Sequence, residues 1–117
     1  MPPSETPAPR LRGLPRQEAL GVLYPVALTR RARLFGLAFI DLDDAGPGLL
    51  IPGCRSVHTF GMRFSLDVYF LGPHGEAVGV RYGLPRFRVV RHREARSVLE
   101  VPAERGAPAR ASVGEMR

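Results

Sequence analysis

The chain has 117 residues, room for one modest hydrophobic core, and its 44% apolar content excludes wholesale disorder. A single cysteine excludes an internal disulfide framework. The net charge of +6 leaves polyanion binding open; all 17 basic residues are arginine, with no lysine or asparagine, which an Arg-biased coding background also accounts for.

Residues 1–17 are rich in Pro, Ser, Glu and Arg, and we expect an N-terminal tail there. They lack the continuous apolar region of a secretory signal. The apolar run Leu34–Ile40 is too short to span a bilayer, so a cytoplasmic protein without a transmembrane segment is expected. Leu20–Leu28 is a β-like run that Pro25 confines to an edge or bulge, because the ladder donor is missing. Thr29 is suited to cap one short helix over about residues 30–39, with Leu34, Leu37 and Ala38 on one face. Asp41 to Gly48 reads as a solvated acidic loop. Its three aspartates fall short of the oxygen set a calcium ion takes.

Short strands follow at Leu49–Ile51 and Ser56–Phe60, with Gly61 marking a bend. Phe64–Leu71 is the longest β-like run; Phe64, Leu66, Val68 and Phe70 share one face, Asp67 and Tyr69 the other. The turn at residues 72–75 returns the chain as a strand over Ala77–Tyr82, which makes a hairpin. Phe87–Arg91 and Ser97–Val101 complete a set of about six to seven strands. The fold class is therefore mainly β: a small barrel-like or folded antiparallel sheet with one short helix. The domain is expected to span residues 18–103, followed by a weakly ordered tail over 104–117.

The run Ser56-Val-His-Thr-Phe-Gly-Met-Arg-Phe-Ser-Leu-Asp-Val-Tyr-Phe-Leu71 resembles the core signature of the bacterial and archaeal domain of unknown function 192. In that family a His-Thr segment leading to Met runs into a hydrophobic strand that bears an aspartate. The resemblance extends to Arg31–Leu37, Gly75–Val78 and Ser97–Ala103, and so covers about residues 22–103. It implies a compact β-rich domain and no particular reaction. The family's Gly after Pro-Ala is replaced here by Glu104, and Ser65 stands where proline is common. The first departure weakens the expectation of a closing strand, although Val113-Gly114-Glu115 resembles that ending.

The chemistry-bearing residues cluster around this motif. Cys54, His58 and Met62 are soft donors at i, i+4 and i+8. On a strand, residues four apart stand ~13 Å from each other, so no metal site is expected from them unless the chain folds back. His58 and Asp67 could form a hydrogen-bonded pair of the kind used in acid–base chemistry. Ser56, Thr59 and Ser65 sit in no nucleophile elbow, so a structural role for Asp67, paired with Arg63 or another arginine, is the competing reading. Glu100 either joins this cluster or faces outward from its strand. His74 lies in a turn and is expected to be exposed. The stretch Arg81–Arg93 alternates arginine with aromatic and apolar residues, as single-strand binders and half-buried strands both do.

The expected function is a non-enzymatic module that binds a protein or small molecule through His58, Thr59, Met62, Arg63, Asp67 and Glu100, without a cofactor. Nucleic-acid binding and a hydrolase using His58 and Asp67 are the two alternatives.

Overall fold

A computed structural model of the chain describes residues 8–114. Its strands are β1 Arg16–Ala19, β2 Val22–Pro25, β3 Leu49–Pro52, β4 Ser56–His58, β5 Leu66–Leu71, β6 Ala77–Leu84, β7 Val89–Arg91 and β8 Ser97–Pro102. Helix α1 spans Arg30–Phe35 and α2 spans Ala107–Val113, with 3-10 turns at Pro9–Leu11, Leu42–Asp44 and Ala103–Arg105. Among the described residues no helix is long and apolar enough to cross a membrane.

The centre is an antiparallel sheet in the order β3-β8-β5-β6. Every residue of β5 is buried, as is every residue of β8 except Ser97. Strands covered on both faces read as near-continuous apolar runs, which is how LDVYFL and VLEV read here. The register pairs Val68 with Glu100 and Asp67 with Val101. Neighbouring residues of a strand point to opposite faces, so Glu100 and Asp67 lie on opposite sides of the same sheet. Leu49, Ile51, Leu66, Val68 and Phe70 share Glu100's side and pack against Ala32, Leu37, Ala38, Val57 and Val90. Leu50, Tyr69, Leu71 and Leu99 share Asp67's side, with Tyr24 of β2 and Ala109 of α2.

The mainly β architecture is the expected one, but the sheet does not close into a barrel. β1–β2 and β4–β7 are separate two-stranded ribbons. β2 reaches the main sheet through a parallel bridge from Val26 to Leu50, past Pro25, which has no N–H for a ladder.

Three expectations are corrected. The run from Leu20 to Leu28 is not one strand: Leu20 and Gly21 have φ of 50° and 82° and form the two-residue turn between β1 and β2. Such hairpin turns need positive φ at both positions, an unusual demand on a leucine. Helix α1 has its Thr29 cap, with Ala32 N–H donating to Thr29 Oγ1 at 3.1 Å, but stops at Phe35 instead of continuing to Phe39. Gly36 turns the chain at φ 53°, and a Cβ there would stand 2.6 Å from Glu100 Oε1. Finally, the segments read as tails carry structure where they are described. Leu11 is buried in the core, β1 begins at Arg16, and α2 occupies Ala107–Val113. Residues 1–7 and 115–117, including the Glu115 of the possible closing motif, lie outside the described residues.

Candidate functional site

Among the described residues three polar side chains are buried: Thr59, Asp67 and Glu100. A buried polar group needs partners, so the partners of each show what it does.

Asp67 is saturated. Arg110 grips it with two hydrogen bonds, Nε to Oδ2 and Nη2 to Oδ1, both 2.8 Å, and Gly83 N–H donates to Oδ1 at 2.9 Å. The ladder between β5 and β6 shifts register here, so Tyr82 and Gly83 oppose Asp67 as a bulge, and the carboxylate takes up a bulge N–H. Arg110 also stacks over Tyr82, with 4.8 Å between its guanidinium carbon and the ring centroid. The carboxylate in turn holds the guanidinium well above its ordinary pKa.

The His58–Asp67 pair therefore does not form. Asp67 is committed to Arg110 and Gly83, while His58 is exposed on β4 with its ring 5.7 Å from that of Phe60. Asp67 takes the other reading, pairing with an arginine, and the arginine comes from the segment read as a C-terminal tail.

Thr59 ties two loops together. Its hydroxyl donates to the Pro85 carbonyl at 2.7 Å and accepts from Arg88 N–H at 2.8 Å. Met62 is core, and Arg63 forms an exposed ion pair with Asp41 at 2.7 Å. The thiol of Cys54 donates to the Ser56 carbonyl at 3.0 Å. Among the described residues no group of three His, Cys, Asp or Glu side chains is arranged to hold a metal.

Glu100, read from its sequence chiefly as an outward-facing strand residue, is instead buried, at 4% exposed. Its hydrogen bond among the described residues comes from the backbone N–H of Leu37, at 3.2 Å to Oε1. Burial pushes its pKa up to about 7, opposed by that backbone bond and by the charge of Arg10. Arg10 donates from Nε to the Gly36 carbonyl at 3.0 Å and from Nη2 to the Ala38 carbonyl, and so holds the turn that covers the carboxyl. A small cleft of about 50 Å³ reaches Glu100, with Arg33, Phe35, Gly36, Cys54 and His58 among its walls. That volume suits one small polar group or a water. A carboxyl poised near neutrality can donate or accept a hydrogen bond there.

The structure thus brings Cys54, His58 and Glu100 to one cleft, and leaves Thr59, Met62, Arg63 and Asp67 outside it. Sequence reasoning missed Arg10 and Arg110 because both sit in segments whose composition reads as tail. It missed Gly36 as the seat of Glu100 because the two are far apart in the chain.

The family described as DUF192, Uncharacterized ACR, matches residues 14–116. The chain belongs to the DUF192 family. The matched span runs past the motif-bearing core at both ends and takes in β1 and α2. No curated protein matches this DUF192 chain. Two solved structures share the fold. One is a protein of unknown function from Novosphingobium aromaticivorans DSM 12444, 18% identical, with TM-score 0.62 over 89% of this chain and 84% of that one. The other is a putative transcription regulator from Sinorhizobium meliloti 1021, 20% identical, with TM-score 0.61 over 85% of this chain and 84% of that one.

Proposed function

We propose that this DUF192 chain is a single-domain, cytoplasmic, non-enzymatic binding module that takes a small hydrogen-bonding ligand in the cleft over Glu100. The observation that carries this reading is Glu100 itself, a buried carboxyl with a backbone N–H for a partner and a cleft leading to it. Such a group lowers stability unless something completes its hydrogen bonding, and perturbed carboxyls in clefts mark functional sites. With Arg33 beside it, the cleft favours a compact neutral group, an amide or a hydroxyl, over a cation. Binding is favoured over catalysis because His58 lacks its expected carboxylate, which Arg110 holds, and the Cys54 thiol bonds to Ser56 instead of to His58.

The test is amide chemical-shift mapping with a panel of small amides and polyols, on wild type and Glu100→Leu. Shifts centred on the Gly36 and Leu37 amides, lost in a folded Glu100→Leu variant, are expected. A panel that leaves those amides unmoved, or shifts that persist without the carboxyl, would overturn the reading.

A further inference from the structure

We infer that the outer face of the β4–β7 ribbon binds single-stranded nucleic acid. The register pairs Ser56 with Arg91, Val57 with Val90 and His58 with Val89. Val57 and Val90 are buried, so the alternate residues Ser56, His58, Val89 and Arg91 form the outward face, and all four are exposed. The chain carries this row past the strand ends with two more rings. His58 touches Phe60, and Phe60 meets Phe87 edge-on at 5.8 Å between centroids. Phe60 is 46% and Phe87 67% exposed, and with Val89 beside them they form a contiguous apolar patch instead of scattered single side chains. Phe39, also exposed, extends the patch where it crosses Gly61: a Cβ there would stand 2.5 Å from the ring. Shallow depressions of about 330 and 560 Å³ flank the Phe60–Phe87 pair, the first against Val89 and the second against Arg63 and Arg86.

Charge selects the partner. Residues 52–66 and 85–93, which build the ribbon and its approaches, hold six arginines and not one Asp or Glu, although one of the six, Arg63, is paired with Asp41. Arg55, Arg86, Arg88 and Arg91 are all exposed. Exposed rings in a row, carried on the turns at one end of the ribbon and flanked by guanidinium groups, match a strand whose bases stack while its phosphates are neutralised. A duplex keeps its bases inside and offers these rings nothing to stack on, so the geometry favours a single strand. The surface needs neither the Glu100 carboxyl nor a ligand in its cleft.

The measurement is fluorescence anisotropy of the full chain with a labelled oligo(dT) of about 20 nucleotides and with a duplex of equal length, across a salt series. We expect tighter binding of the single strand, with affinity falling log-linearly with salt. Phe60→Ala and Phe87→Ala should each weaken binding roughly ten-fold while leaving the salt slope unchanged. Arg86→Ala with Arg88→Ala should flatten the slope instead. The surface meets the cleft at Ser56 and His58 but does not use the carboxyl, so Glu100→Leu should bind the single strand like wild type. Equal affinity for duplex, or binding indifferent to loss of both rings, would reduce the effect to general charge and overturn the inference. So would a failure to bind oligo(dT), including the case in which an acidic polypeptide binds in its place.

Discussion

Asp67 and Glu100 occupy neighbouring rungs of one ladder and meet opposite solutions to the same problem. Asp67 receives a guanidinium and a bulge N–H in a fully satisfied pair, whereas Glu100 receives a backbone amide and a more distant charge. The consequence for Glu100 is a pH dependence of stability. Its pKa rises from an ordinary 4.5 to about 7 on folding, so the folded chain holds the proton more tightly than the unfolded one. Stability from this group is therefore greatest below pH 4.5, declines as pH rises, and levels off above about 7. Glu100→Gln keeps an acceptor for Leu37 N–H and removes the titration. Urea unfolding across that pH window should show the wild type losing up to ~3 kcal/mol relative to the variant; parallel curves for the two proteins would refute the assignment. Thr59 supports a simpler expectation. Thr59→Val preserves shape but strands the Pro85 carbonyl and the Arg88 N–H, and should cost about 1–3 kcal/mol in the same assay.

At the scale of elements, α2 is held to the sheet by the Arg110–Asp67 pair and by Ala109, which is buried beneath it. Arg110→Met should leave the Asp67 charge buried with Gly83 N–H as its remaining donor, destabilising the protein by about 2–3 kcal/mol. The partial exposure of Arg110 keeps this below the value for a fully buried pair. Adding Asp67→Asn to Arg110→Met should recover part of the loss, and additive single effects in a double-mutant cycle would show that the two residues are not coupled. Helix α1 has a comparable constraint at its end. Gly36→Ala would place a methyl against the Glu100 carboxyl at a positive φ, so we expect a larger drop in thermal stability than for Gly53→Ala, which shares the positive φ but whose nearest atom, on the Arg33 guanidinium, stands at an ordinary contact distance of 3.7 Å. These elements were legible to different degrees. Thr29, the turn at residues 72–75 and the alternation along Phe64–Leu71 announced α1 and the β5–β6 hairpin, because caps, turns and periodicity act within a few residues. The β1–β2 hairpin was hidden behind a leucine in the left-handed region, and α2 behind small residues that look unstructured until Arg110 finds Asp67.

For the whole molecule, the sheet stays open and is closed off by added pieces: the β1–β2 ribbon and α2 on one face, α1 and the β4–β7 ribbon on the other. Truncation after Ala103 would remove α2 and uncover the Asp67 face. We expect loss of cooperative unfolding by circular dichroism; a sharp two-state transition in the truncated chain would show α2 to be dispensable. Local patterns of apolar, turn-forming and capping residues suffice for the β-rich class, the family, most strand positions and the capped start of α1. Which polar residues are buried, and what they meet, is set by packing between distant segments. A carboxylate in an apolar run reads the same whether its face is open or covered, and the partners that settle the matter lie far off. Leu37 is 63 residues from Glu100, and Arg110 is 43 from Asp67. Chain proximity says nothing of such contacts. Packing brings them together, and with them it separates the cleft at Glu100 from the structural pair at Asp67.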